Sequence, residues 1–235
     1  MKQVGKARKA AVKLIFISLL AVLAVWAIGA FTVAAAAVSA AMALAITPFL
    51  VVLWIVFALF TFYFFRDPEA RVPVGPGLIV SPAHGKVDVV DTTTEPQFMG
   101  GECQRVSIFL SVIDVHVQNA PVGGKVVFFK YTFGQFLNAL KADSALHNEN
   151  ALLGFEASEP HGQKVGVRLI AGVLARRIVP FVQAGDEVAR GGRISLIQFG
   201  SRTDVYLPVN ARIKIKLGDR VVGGETVLAV FEPAN

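Results

Sequence analysis

The sequence predicts a mostly β soluble domain, built of repeated hairpins in a compact sandwich or barrel with one or two short helices, behind an N-terminal transmembrane helical hairpin. Three observations predict it. Leu14–Phe65 is a run of 52 residues without a charge. Beyond it, Val-rich runs of strand length recur between Gly, Pro and Asp. A ten-residue pattern, Val/Ile-x-x-Gly-Asp-x-Val-x-x-Gly, occurs at Val182–Gly191 and again 33 residues later at Ile215–Gly224.

A membrane-spanning helix takes about 20 apolar residues. The uncharged run is long enough for two and exceeds the roughly 7–15 apolar residues of a cleavable signal. We place one span near Leu14–Val38 and a second near Leu44–Phe65, joined around Ser39–Pro48 where small residues and a proline weaken the pattern. Lys2, Lys6, Arg8, Lys9 and Lys13 precede the first span and Arg66 follows the second. The positive-inside rule therefore puts both ends on the cytoplasmic side. Phe62, Tyr63, Phe64 and Phe65 beside Arg66 suit an interfacial aromatic belt. The expected organisation is a basic tail over 1–13, an anchor over 14–65 and a soluble domain over 66–235.

The soluble part reads as strands at Gly77–Pro82, Lys86–Asp91, Arg105–Val112, His116–Asn119, Lys125–Tyr131, Lys164–Gly172, Ile194–Phe199, Asp204–Leu207, Arg212–Leu217 and Thr226–Glu232. Thr132–Ala145 has helical character, and Leu146–Asn150 reads as a polar loop. A second repeat joins Pro82-Ala-His-Gly-Lys-Val87 to Pro121-Val-Gly-Gly-Lys-Val126, and more loosely to Pro208–Ile213. Gly-Asp turns of this kind close tight hairpins, with Gly at positions needing positive φ. They resemble the hammerhead hairpins of lipoyl and biotinyl carrier domains, in architecture only, since no Lys stands at a suitable hairpin tip.

The chain has 235 residues, 54% of them hydrophobic and 17% charged, which excludes a disordered protein. Its net charge of +6 sits in the N-terminal tail, and residues 66–235 carry 18 basic against 17 acidic groups. No basic stripe for nucleic acid is expected on a domain so nearly neutral. The single cysteine, Cys103, allows no intrachain disulfide. No His, Cys or carboxylate pair has a firm metal-ligand spacing, so no metal is expected.

Of the four histidines, His147 and His161 stand in polar loops and turns and read as solvated. His84 lies in a Pro-Ala-His-Gly turn. His116 sits inside the apolar run from Phe109 to Val117, where an imidazole is more often a satisfied core group than a catalyst. Gly200-Ser201 follows an apolar strand. In a strained turn, a serine hydroxyl can attack the preceding carbonyl and turn amide into ester. β-Elimination then breaks the chain and leaves a dehydroalanine that hydrolyses to a pyruvoyl group. Gly before the serine leaves that carbonyl open.

Phe64-Phe-Arg-Asp-Pro-Glu69, Val80-Ser-Pro-Ala-His-Gly-Lys-Val87, Val115-His-Val-Gln-Asn-Ala-Pro121, Ala171–Ile178 and Phe199-Gly-Ser-Arg-Thr-Asp-Val-Tyr-Leu-Pro208, in this order, resemble the short form of phosphatidylserine decarboxylase. The resemblance implies a proenzyme that cuts itself at Gly200–Ser201 into a β chain of residues 1–200 and an α chain of residues 201–235. It implies a covalent pyruvoyl cofactor made from Ser201. That group would take phosphatidylserine as a Schiff base, draw electrons as CO₂ leaves, and release phosphatidylethanolamine. His116 matches the family's catalytic histidine, as base toward Ser201 and as proton donor in turnover. The implied partners are phosphatidylserine and membrane lipids at a bacterial-type cell membrane, with the α/β pair joined or not into a higher oligomer. Arg202, Arg176, Arg177 and Asn119 are candidates for holding the lipid phosphate or carboxylate.

Two positions depart from the family pattern. His84 stands where an aspartate is usual, so His84 itself, or a carboxylate such as Asp88, Asp114 or Asp204, would have to orient His116. Asn119 stands where some members have a second histidine. Two other readings compete: a membrane-tethered β adaptor that is never cut, and a pyruvoyl decarboxylase for another amino-acid head group.

Overall fold

A computed structural model describes residues 5–32, 42–137, 147–172, 177–198 and 200–232. They form two compact units, Gly5–Asp67 and the chain from Pro68 onward. In the first, helix α1 runs Lys6–Thr32 and helix α2 Thr47–Phe64, with a π-helical turn at Met42–Ile46 before α2. Both helical segments are long and apolar enough to cross a membrane. The first starts before the uncharged run, because Lys, Arg and Ala are strong helix formers. The rest of the expected first span, 33–38, lies outside the described residues. Pro48 sits in the first turn of α2, where its missing N–H costs nothing. Polar side chains in these helices find partners within the unit, Ser18, Trp54 and Thr61 among them. The Trp54 indole donates to Ser18 Oγ across the pair (3.0 Å), and Thr61 donates back to the Phe57 carbonyl (2.8 Å).

The second unit is almost wholly β. Its fourteen described strands are β1 (Leu78–Val80), β2 (Gly85–Glu95), β3 (Gly101–Leu110), β4 (Val117–Asn119), β5 (Gly124–Thr132), β6 (Asn150–Ala157), β7 (Lys164–Ala171), β8 (Ile178–Pro180), β9 (Glu187–Val188), β10 (Arg193–Ile197), β11 (Ser201–Leu207), β12 (Arg212–Ile213), β13 (Arg220–Val221) and β14 (Val227–Val230). Eight make one curled antiparallel sheet in the order β13-β2-β3-β11-β7-β6-β5-β9, and two three-stranded sheets, β1-β14-β12 and β4-β10-β8, complete it.

That order is the sequence repeat in three dimensions. Read from the centre outward, β11 answers to β7, β3 to β6, β2 to β5 and β13 to β9. The pairs repeat in detail. Lys86 faces Phe109 as Lys125 faces Glu156, and each ladder is interrupted at the same place, at Val87/Val89 and at Val126/Phe128. Where the halves meet they exchange bonds: Val80 N–H to the Pro121 carbonyl (2.9 Å) and Asn119 N–H to the Pro82 carbonyl (2.8 Å). One half is continuous, β4 to β10. The other is split, β1–β3 before it and β11–β14 after it. The looser Pro208–Ile213 match has no place in this symmetry.

The core lies between the layers, with Val87, Ile108, Leu110, Val126, Phe155, Leu169, Ile194, Val205 and Leu207 among its members. Strand β11 is buried along its whole length. Its Val205 and Leu207 join this core, so Ser201 and Thr203 share that face by strand alternation. Arg202, Asp204 and Tyr206 take the other face, where Tyr206 packs with Phe98, Cys103 and Leu152.

Strand β6 has no counterpart among the sequence expectations. Asn150-Ala-Leu-Leu-Gly-Phe-Glu-Ala157 lacks β-branched residues and alternation, because it is covered on both faces. Of the stretch expected to be helical, Thr132 closes β5 and Gln135 bridges Asn148, while 138–146 lie outside the described residues.

Candidate active site

Ser201 opens β11, opposite Leu110 of β3 and Ala171 of β7. It has no exposed surface. Among the described residues its Oγ has no hydrogen-bond partner. A buried hydroxyl without a partner is rare enough to need a reason, and chemical use is one.

The glycine before it, Gly200, holds φ at +66°, a conformation that an L side chain resists. Both peptide groups of this glycine are held. Its carbonyl accepts from Gly172 N–H (3.2 Å), and its own N–H donates to His116 Nε2 (3.1 Å). The other imidazole nitrogen, Nδ1, lies 2.9 Å from the Asp114 carbonyl. A carbonyl can only accept, so Nδ1 carries the proton and the Nε2 lone pair faces Gly200.

The imidazole is fully buried and its backbone is fixed from two sides. The His116 carbonyl takes Gln118 Nε2 (2.7 Å) and Ile197 N–H (3.1 Å), and Ser195 Oγ anchors Gln118 (2.6 Å). The loop before it is tied by the Asp114 carboxylate, which accepts from Ser111 N–H (2.9 Å) and Arg220 (3.1 Å). The site thus unites a buried hydroxyl, the neighbouring carbonyl bearing a hydrogen-bond donor, and an imidazole with its lone pair inward. That set can move an acyl group from nitrogen to oxygen.

The pattern of the phosphatidylserine decarboxylase family matches residues 57–229. A proenzyme of that enzyme from Symbiobacterium thermophilum is 47% identical over 171 residues, covering 73% of this chain and 79% of the relative. Those from Desulfotalea psychrophila and Ruegeria pomeroyi are 41% and 40% identical, covering 76% and 79% of this chain and 83% and 88% of the relatives. The chain belongs to the phosphatidylserine decarboxylase family. It is a family of carboxy-lyases, and the relatives' names mark them as proenzymes.

Within this family member the other candidates fall into distinct places. His84 and the Asn119 amide each stand against Gly223: a Cβ there would come within 2.9 Å of the imidazole and 2.8 Å of Asn119 Oδ1. The Asn119 amide donates to the Gly191 carbonyl (2.9 Å), a bond within the continuous half. The group found on His116 Nδ1 is a main-chain carbonyl, not a carboxylate.

Arg202 is buried on the face of β11 opposite Ser201. Its Nε donates to Asp204 (2.8 Å) and its Nη1 reaches Asp88 (3.4 Å). So engaged, it is an anchor for the strand rather than a group turned toward a ligand. Burial pushes the Asp88 carboxyl above its ordinary pKa, against the pull of Arg202. Arg177 is exposed, and Arg176 lies outside the described residues. His147 and His161 are exposed, as read. The two contributors that sequence reasoning missed, Gly172 N–H and the Asp114 carbonyl, act through the backbone and leave no side-chain signal.

Proposed function

We propose that this protein is a phosphatidylserine decarboxylase that cuts itself between Gly200 and Ser201 and makes its pyruvoyl group from Ser201. The observation that carries the proposal is the meeting of His116 Nε2 and Gly200 N–H at 3.1 Å next to the buried Ser201 Oγ, which has no hydrogen-bond partner among the described residues. These residues fit the group they would form.

In maturation, Ser201 Oγ attacks the Gly200 carbonyl carbon. The new C–O bond replaces the C–N bond, and the hydroxyl proton passes through His116 Nε2 to the freed amine. For this the imidazole gives up its bond to Gly200 N–H. Loss of the Ser201 α-proton then breaks the Cβ–Oγ bond. Gly200 leaves as a carboxylate, and the dehydroalanine takes up water and releases ammonia. The Ser201 nitrogen leaves the ladder as that ammonia, while the strand from Arg202 onward stays paired with β3 and β7.

Once formed, the pyruvoyl carbonyl supplies an amine-reactive centre and an electron sink for the loss of CO₂. His116 then holds the proton that the product carbon takes up, and the buried floor of the sheet keeps water from competing. Residues 14–65 serve as a two-span anchor with both ends in the cytoplasm, and residues 66–235 as the catalytic domain on that side of a bacterial cell membrane. The enzyme acts on phosphatidylserine as an α/β pair from one chain.

Intact mass tests the proposal. Mature protein should yield pieces of 200 and 35 residues, the smaller without a free amino terminus. Ser201→Ala should stop both cutting and release of CO₂ from phosphatidylserine. An uncut chain that decarboxylates the lipid would sink it.

A further inference from the structure

The carbonyl that Ser201 must attack already carries a donor. Gly172 N–H reaches Gly200 O at 3.2 Å, one residue past the last paired residues of β7 and β11, Ala171 and Ser201. The donor is held from behind. Ala171 N–H donates to the Glu149 carbonyl (2.9 Å), and the buried Asn148 amide donates to the Ala171 carbonyl (2.7 Å). Asn148 is itself locked by Leu137, accepting its N–H and donating to its carbonyl (both 2.8 Å). Glu149 is fixed in turn by the Tyr131 hydroxyl, whose pKa is pushed up to about 12 by burial and by this bond, so it stays a neutral donor.

Between two inert peptides such a bond would merely extend the ladder. Here the accepting oxygen is the one on which negative charge develops as the tetrahedral centre forms. A donor fixed in a dry sheet before the reaction needs no reorganisation during it.

We propose that the Gly172 main-chain N–H is the oxyanion donor of self-cleavage, polarising the Gly200 carbonyl and stabilising the oxygen as Ser201 Oγ adds. The inference rests on the reading of Gly200–Ser201 as the self-cleaved bond. It divides the labour: His116 moves the proton, and β7 carries the charge. It also assigns Gly172, the residue after β7, a chemical duty for which no side chain is needed.

The test removes one hydrogen. Cell-free translation with glycolic acid in place of Gly172 turns the N–H into an ester oxygen, and the full chain is made in lipid nanodiscs. Loss of one oxyanion donor costs about a hundred- to a thousandfold in rate. The glycolate chain should therefore release its 35-residue fragment slower by about that factor. The same replacement at Gly162, an exposed turn residue whose N–H donates to the Ala157 carbonyl (3.1 Å), also removes one bonded N–H and should cut within about threefold of the parent, far inside that loss. A Gly172 ester that cuts at the parent rate overturns the proposal. So does a Gly162 ester as slow as the Gly172 one, for then the loss of any backbone bond, and not of this donor, would set the rate. Ser201→Ala is run beside them. If it stays whole while the Gly172 ester cuts normally, only the oxyanion assignment fails. If it cuts, the reading beneath fails, and the proposal with it.

Discussion

The two halves of the β unit share one plan and differ at one joint. In the continuous half, β6 turns directly into β7: Ala157 N–H donates to the Gln163 carbonyl (2.8 Å), closing a short turn through Gly162. In the split half, the corresponding strands β3 and β11 have no turn between them. The whole other half of the fold is inserted there. Leu110 answers to Ala157 by register, so Ser201 stands where Gln163 does, and His116 stands where Gly77 does. Both proposed catalytic residues are therefore at the joint where the symmetry fails. A joint is also the cheapest place to cut. A break within a strand would leave orphaned ladder groups. A break at Gly200–Ser201 leaves β11 paired from Arg202 onward between β3 and β7.

If the joint alone carries the chemistry, substitutions at its positions should act on maturation and their counterparts should not. The largest effect is expected from His116→Ala. Losing a positioned acid–base group costs about 10²–10⁴ in rate, so cutting should slow by that order in a pulse–chase gel. Gln163→Ala, at the counterpart of Ser201, should mature at the parent rate. A Gln163 variant that matures slowly would show that the turn and the joint are coupled.

Arg202 and Lys164 sharpen the same comparison one residue further on. Lys164 is exposed. Arg202 is buried between Asp204 and Asp88. Removing one partner from a buried ion pair costs about 3–5 kcal/mol, and a surface charge within about 0.5 kcal/mol. Arg202→Leu should lower stability by the first amount and Lys164→Leu by the second. Denaturant unfolding of both in a Ser201→Ala background compares them as uncut chains. Equal losses would show that Arg202 is no anchor.

Where the halves agree, paired substitutions should agree. A Cβ on Gly85 would meet the Phe109 carbonyl at 2.2 Å, and one on Gly124 the Glu156 carbonyl at 2.0 Å. Both neighbours are backbone and neither can retreat. Gly85→Ala and Gly124→Ala should each destabilise by about 3 kcal/mol, in the range of strained backbone sites. A Gly124→Ala chain that melts like the parent would break the equivalence.

What was legible in the sequence follows the same division. The repeat was readable because Gly185-Asp186 and Gly218-Asp219 make side-chain-dependent turns, but the tight hairpins expected of them are not formed: each turn carries the chain from a three-stranded sheet to the eight-stranded one, from β8 to β9 and from β12 to β13. The uncharged run Leu14–Phe65 was readable because length and composition alone decide it. Strand β6 was not, since a strand buried on both faces loses its alternation and Ala-Leu-Leu has no β-branched residue to mark it. In the site, Ser201, Gly200 and His116 were nameable from residue type and resemblance. Gly172 and the Asp114 carbonyl were not, because any residue has an N–H and a carbonyl, and only the register of β7 against β11 says which ones count.

The smallest expected effect is the finest probe of the duplication. Asp186 accepts Gln183 N–H (2.9 Å) and Asp219 accepts Lys216 N–H (2.8 Å), each within its own turn. The two turns also dock alike. Gly185 N–H donates to the Val126 carbonyl (2.7 Å) and Gly218 N–H to the Val87 carbonyl (2.9 Å), while Asp186 and Asp219 carbonyls accept from those same two valines (both 2.9 Å). Replacing either aspartate by alanine removes one side-chain bond at an exposed turn and leaves the docking bonds in place. Each should cost about 1 kcal/mol, the usual net worth of such a bond. The sites share no partner, so the double variant should lose the sum. A double variant that loses clearly more than the sum would mean that the halves feel each other's turns through the exchanged bonds at Val80 and Asn119.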